Sequence, residues 1–217
     1  MDKNAVLEAL KKLNEGGRKR NFSQSIDLIV NLKDVDLKKT ENHIDFFTQL
    51  PNGTGKKASI CAFVAQELLE DAKKTCDEVI LNDDFPKYGK EKKLARKLAR
   101  KHNFFIAQAN VMPQVATFFG RALGPKGKMP NPKAGCIVPP KADLKSLNEK
   151  LQKTVRVSAK TAPIIQCIAG TQSMEPEKVA ENITSIYEQI IHHLPNEEAN
   201  VKSALLKLTM SSPVKIV

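Results

Sequence analysis

The 217 residues carry 35 Lys and Arg against 24 Asp and Glu, a formal charge of +11, and 41% of them are hydrophobic. That is enough apolar material for one large core or two small ones without disulfide staples, and the charge calls for an anionic partner, nucleic acid first. The longest apolar run, Ala58 to Ala65, is far short of the roughly 20 residues that cross a bilayer. Met1 to Leu10 shows no secretory pattern, so a cytoplasmic protein with no membrane partner is expected.

In chain order, Asn4 to Asn14 sets Val6, Leu7, Leu10 and Leu13 at helical spacing, and Ser25 to Leu32 alternates as a strand. Leu50-Pro-Asn-Gly-Thr-Gly-Lys-Lys57 resembles the end of a nucleotide-binding P-loop. It fails because the first required glycine falls on Leu50 and the magnesium-holding hydroxyl on Lys57. A glycine turn with two solvated lysines is expected instead. Ser59 to Val64 and Glu78 to Leu81 are short apolar runs flanking a helical stretch, Ala65 to Lys74. A basic helix follows from about Lys90 to Lys101, then Phe104 to Ala109 and a helix around Val115 to Arg121. Next come a Gly- and Pro-rich loop without strand or helix, the run Cys136 to Val138, and an amphipathic helix Leu144 to Thr154. Short strands alternating with helices predict a parallel sheet covered by helices. Val155 to Gly170 reads as a hairpin, and Pro176 to His192 as a helix striped by Val179, Ile183, Ile186, Ile190 and Ile191. Glu177 and Glu181 favour its start through the helix dipole. Ala204 to Val217 reads as a final strand with Leu206, Leu208 and Met210 alternating.

Charge separates the middle from the ends. Residues 64–154 hold 18 Lys and Arg against 10 acids, a net +8, and the flanks a net +3. The expected layout is a split α+β domain, an antiparallel sheet with helices from residues 1–63 and 155–217. An inserted α/β domain with a mostly parallel sheet spans residues 64–154, and hinges fall near 64 and 155.

Chemistry is concentrated in the loop Gly120 to Gly135, which packs four glycines, three prolines and four basic residues. A long loop of this kind is usually functional, and Arg121, Lys126, Lys128 and Lys133 supply charge for phosphate or tRNA. The basic helix reads first as a solvated face, with RNA backbone or membrane surface as the other readings. Cys61, Cys76, Cys136 and Cys167 are scattered among apolar neighbours, as buried reduced thiols are. His43, His102, His192 and His193 form no ligand pattern, so no metal and no cofactor are expected. Without Trp, and with only two Tyr, a stacking platform for single strands is not expected, and recognition of a folded RNA fits better. No nucleophile with a partner motif points to an enzyme. The alternative from that class is a phosphate-handling enzyme using Gly124 to Lys128.

The segment Leu123-Gly-Pro-Lys-Gly-Lys-Met-Pro-Asn-Pro-Lys-Ala-Gly135 resembles the signature of the L-one family of large-subunit ribosomal proteins. Arg20-Asn-Phe-Ser-Gln-Ser-Ile-Asp27 with Val30-Asn-Leu32, Leu50-Pro-Asn-Gly-Thr-Gly55 and Leu208-Thr-Met-Ser-Ser-Pro213 are similar to other family stretches in the same order, in the archaeal style. The resemblance implies a split domain that grips a helical junction of large-subunit rRNA, and an inserted three-layer α/β domain. It further implies the mobile ribosomal stalk at the tRNA exit site, release of deacylated tRNA, and repression of the chain's own mRNA by a similar structure in its leader or early coding region. A monomer off the ribosome is expected. Carried over, the rRNA and mRNA contacts are Phe22, Ser25 and Asp27 on one side of the sheet and Thr209, Met210 and Ser211 on the other, with Arg20 and Lys160 as weaker additions. Ser211 stands where the family usually has Gly, Asp27 where it has Glu, and Ser25 lacks the methyl of a Thr.

Overall fold

The computed structural model describes residues 2–16, 20–37, 39, 42–140 and 142–216, and divides into two compact units, one built from both chain ends up to 56 and from 153, the other from 57 to 152. In chain order the elements begin with α1 (Lys3–Gly16), β1 (Ser25–Leu32), β2 (Ile44–Gln49), β3 (Ile60–Val64), α2 (Leu69–Thr75) and β4 (Glu78–Leu81). Next are α3 (Phe85–Lys90), α4 (Lys92–Lys101), β5 (Phe104–Gln108), α5 (Met112–Leu123), β6 (Ile137–Val138) and α6 (Leu144–Gln152). The chain finishes with β7 (Thr154–Ala159), β8 (Ile164–Thr171), α7 (Pro176–His192), β9 (Val201–Leu208) and β10 (Val214–Lys215).

In the split unit, strands ordered β10-β9-β1-β8 form an antiparallel sheet, and β2 pairs with β7. The alternation of β1 buries Ile26, Leu28, Val30 and Leu32 against α1 and α7, and turns Asp27, Ile29 and Asn31 the other way. Leu28 lies opposite Leu206 and Cys167, so the core runs across three strands. Helix α7 contributes Val179, Ile183, Ile186 and Ile190 as the stripe predicts, with Pro176 in its first turn. Its buried Asn182 is fully used. The amide donates to the carbonyls of Gly53 (2.8 Å) and Ala169 (2.9 Å), and the Oδ1 accepts from the Asn52 N–H. This fixes the Leu50–Gly55 turn, in which Gly53 and Gly55 have positive φ of 66° and 73°.

The inserted unit is three-layered. Its parallel sheet runs β4-β3-β5-β6. Every residue of β3 is buried: Cys61 and Phe63 pack with α3, α4 and α5, and Ile60, Ala62 and Val64 with α2 and α6. A strand covered on both faces reads as an unbroken apolar run, which is why Ile60 to Val64 shows no alternation.

Several expectations change. The segment 155–170 is not a hairpin, because β7 pairs with β2 from Gln49 opposite Thr154 to Ile44 opposite Ala159, whereas β8 pairs with β1. Strand β2 has no counterpart in the sequence reading. The helix ending at Thr154 stops at Gln152, whose side chain exchanges two hydrogen bonds with the Ala58 backbone (2.7 and 2.9 Å). The final strand ends at Leu208, with Met210 in a turn before β10. Because β3 is a central strand of the inserted sheet, the units divide before it, at 56/57, and again at 152/153.

Candidate nucleic-acid interface

Antiparallel pairing of β1 with β9 sets the start of one beside the end of the other, with Ile26 opposite Leu208. Phe22, Ser25, Asp27, Thr209, Met210 and Ser211 therefore converge at one end of the sheet, not on two sides of it. The two segments are tied by backbone groups. Ser25 N–H donates to Thr209 Oγ1 (3.1 Å), Thr209 N–H to the Ser25 carbonyl (3.2 Å), and Met210 N–H to Gln24 Oε1 (3.0 Å). Gln24 is buried, and its carbonyl accepts from Gln172 N–H at 2.9 Å. With the backbone held, Phe22 and Met210 remain 50% and 60% exposed. Exposed apolar side chains on a fixed turn have a contact surface to offer without further ordering.

The polar groups are arranged around Lys56, which donates from Nζ to Ser25 Oγ at 2.7 Å. Ser25 is only 8% exposed, so its hydroxyl first serves to position this lysine. Asp27 lies opposite Lys207 on the face away from the core. Burial pushes its carboxyl above the ordinary value, and Lys207 and Lys56 pull it partly back. Ser211 Oγ accepts from Leu208 N–H (3.0 Å) and donates to the Ser212 carbonyl (3.0 Å), so this hydroxyl closes the turn. Arg20 is exposed ahead of the cluster. Lys160 belongs elsewhere: the loop it opens leads to Ile164, paired with Asn31 at the other end of β1, and its Nζ binds Asp45 Oδ2 at 2.7 Å. Gln24, Lys56 and Lys207 were not singled out in the sequence. Lys56 stood in the P-loop-like fragment as a solvated lysine, and only the tertiary contact gives it a role.

The Gly- and Pro-rich loop of the inserted unit contains two 3-10 turns, Gly124–Lys126 and Pro132–Ala134, each closed by a glycine of positive φ, Gly127 at 63° and Gly135 at 70°. Arg121, Lys126 and Lys133 are exposed. Lys128 is not: its Nζ donates to the carbonyls of Ala99 (3.2 Å) and His102 (2.6 Å), at the end of α4, and burial pushes its pKa down. Of the two lysines in Gly124 to Lys128 that a phosphate-handling enzyme could use, Lys128 is engaged with backbone and Lys126 is exposed. Among the described residues, no group of three His, Cys, Asp or Glu could hold a metal, and no helix is long and apolar enough to cross a membrane. Burial pushes all four thiols up, Cys136 to about 11 and Cys167 to about 12; Cys61, Cys136 and Cys167 are core groups and Cys76 is half-buried.

The profile of the ribosomal protein L1p/L10e family matches residues 10–212. The chain is 42% identical over 213 residues to the large ribosomal subunit protein uL1 of Methanobrevibacter smithii, covering 98% of each chain. It is also 42% identical over 215 residues to that of Nanoarchaeum equitans, covering 97% of this chain and 99% of the relative. For Methanothermococcus thermolithotrophicus the identity is 40% over 216 residues, covering 100% and 99%.

Proposed function

The chain belongs to the ribosomal protein L1p/L10e family, and from that premise we propose that it grips a helical junction of large-subunit rRNA with the sheet end of its split unit. It is a structural ribosomal protein of the large subunit and not an enzyme. The observation that carries the proposal is the convergence of Phe22, Thr209 and Met210 around a lysine-held Ser25, on a backbone already tied by hydrogen bonds. The Thr209 hydroxyl accepts from Ser25 N–H and keeps its own proton to donate to a 2′-OH, which distinguishes RNA from DNA. Lys56 and Lys207 beside Asp27 lower the cost of holding a carboxylate near phosphates.

On this reading the bound chain forms the mobile stalk at the tRNA exit site and assists release of deacylated tRNA. The two chain crossings act as hinges, and the same surface represses the chain's own mRNA. Exposed Arg121, Lys126 and Lys133 supply a looser phosphate contact. The test is binding of Thr209→Ala and Met210→Ala to the rRNA junction, scrambled RNA and tRNA over a salt series, with thermal melts as a control for folding. Each should weaken junction binding by ~1 to 3 kcal/mol, the range for a lost hydrogen bond or packed side chain, with little change in salt slope. Silence of both, together with loss of junction binding on removing Lys126 and Lys133, would place recognition on the inserted unit and overturn the proposal.

A further inference from the structure

We propose that the inserted unit carries a second RNA site, a cleft between α3, α4 and α5 that takes an unpaired nucleotide with its flanking phosphates. The proposal rests on the reading of the chain as an RNA-binding protein and extends it to a surface that the sheet-end interface does not use. The cleft is open to solvent, has a volume of about 530 Å³ and is lined by Tyr88 and Phe118 with Lys90, Lys92, Arg96 and Arg121. Its size falls in the range of small-ligand pockets, roughly 300 to 1,000 Å³. Among the described residues, no carboxylate lines it.

The charge is concentrated there and is not neutralised. Residues 85–101 hold eight Lys and Arg against one acid, Glu91. Lys87 pairs with Asp84 and Lys101 with Glu78, whereas Lys90, Lys92, Arg96 and Arg121 pair with no carboxylate among the described residues. Helix α4 also starts on Lys92 and Lys93, and Glu91 makes no side-chain hydrogen bond to its first turn. The start of a helix is its positive end, so these two cations add to a positive field that Glu91 is the one acid of residues 85–101 to oppose.

The rings turn an anion site into a nucleotide site. Phe118 is half-buried at the cleft wall, 6.4 Å from Phe85 and tilted to it, and Tyr88 lies 5.2 Å from Phe119. Gly89 permits this packing, since a Cβ there would come within 2.6 Å of the Phe118 ring. A duplex offers such a cleft only its phosphates. An unpaired nucleotide offers a base to the ring as well as phosphates to the guanidiniums.

The full-length protein is titrated with a single-stranded oligoribonucleotide, an RNA duplex of the same length, and the rRNA junction, each across a salt series. The single strand should bind more tightly than the duplex. Arg96→Ala combined with Arg121→Ala should weaken single-strand binding about tenfold and lower its salt slope by about one to one and a half units, at roughly 0.7 per phosphate. Phe118→Leu, which keeps apolar packing, and Gly89→Ala, which displaces the ring, should each weaken it about fivefold, the low end for base stacking, with the slope unchanged. Junction affinity should not move in any of them. Equal binding of single strand and duplex with Phe118→Leu silent, or single-strand affinity untouched by the arginine pair, overturns the site. Failure of the wild-type chain to bind the junction would instead overturn the split-unit interface and leave this one standing.

Discussion

Asp45 shows how a single residue decides which cations are free. Arg156 donates from Nε to Oδ1 (2.8 Å) and from a terminal nitrogen to Oδ2 (2.9 Å), and Lys160 Nζ lies 2.7 Å from Oδ2. The forked Arg geometry suits a carboxylate, and the Arg156 hydrogen bond is the main cause that holds Asp45 well below its usual range, at about 2. The group spans the β2–β7 pair, where Phe47 stands opposite Arg156. Asp45→Asn should therefore destabilise the protein by about 1–2 kcal/mol at neutral pH, toward the low end for bonds to charged groups because the cluster is partly exposed. A carboxyl with a depressed folded pKa contributes stability that is present above its unfolded pKa of about 4 and lost as pH falls through about 2. Denaturant midpoints of wild type and variant should stay a constant interval apart from pH 7 to about 4, then converge. A gap that persisted at the lowest pH would mean that packing, not charge, holds the pair. The same cluster explains why Lys160, attractive as a formal charge, is a poor candidate for RNA.

At the scale of elements, α4 and the loop that follows α5 form one assembly. The last turn of any helix leaves carbonyls without partners, and Lys128 supplies donors to those of Ala99 and His102. Below it, His102 is buried, with Nε2 3.0 Å from Glu78 Oε2 and Nδ1 2.7 Å from Ser59 Oγ. The loop is thus anchored by its lysine, and the signature-like run of glycines and prolines has a structural duty in addition to any contact. Lys128→Ala should lower the melting temperature, at a cost of about 1.5–3 kcal/mol for lost charged hydrogen bonds, and leave the salt slope of tRNA binding unchanged. Lys126→Ala, at an exposed position, should do the reverse: leave stability alone and lower the slope by about one unit or less. Melting curves and tRNA titrations of the two variants decide it. Equal loss of slope in both would mean that the Lys128 ammonium leaves its carbonyls for phosphate.

Across the whole molecule, each unit closes on itself where the chain crosses. In the split unit Leu50 N–H donates to the Lys153 carbonyl at 2.8 Å, and in the inserted unit Ala58 and Gln152 exchange their pair of hydrogen bonds. The split unit has a continuous core, and all six residues of the proposed rRNA grip lie within it. Replacing residues 57–152 by a short linker should therefore leave a fragment that unfolds cooperatively and binds the rRNA junction specifically. Its affinity for single-stranded RNA should fall, because the α3–α4–α5 cleft is removed. A folded fragment with no preference for the junction over scrambled RNA would show that recognition needs both units.

The sequence by itself determined the elements whose burial is periodic. Ser25 to Leu32 alternates because one face of β1 is covered, Ile60 to Val64 is uniformly apolar because β3 is covered on both, and α7 carries its stripe at helical spacing. Family motifs likewise pointed to Phe22, Ser25, Asp27, Thr209, Met210 and Ser211, since motif identity needs no coordinates. Only the tertiary structure decided what rests on partners distant in the chain. It took β7 away from β8 and gave it to β2, whose Ile44 to Gln49 has little alternation to announce it. It joined Ser25 to Thr209, 184 residues apart, and brought Gln24, Lys56 and Lys207 to the same place. It also separated exposed Arg121, Lys126 and Lys133 from Lys128 and Lys160, which are engaged by carbonyls and by a carboxylate. Periodicity is a local property of the chain, whereas the partner of a charge or a strand edge is set by what the fold brings beside it.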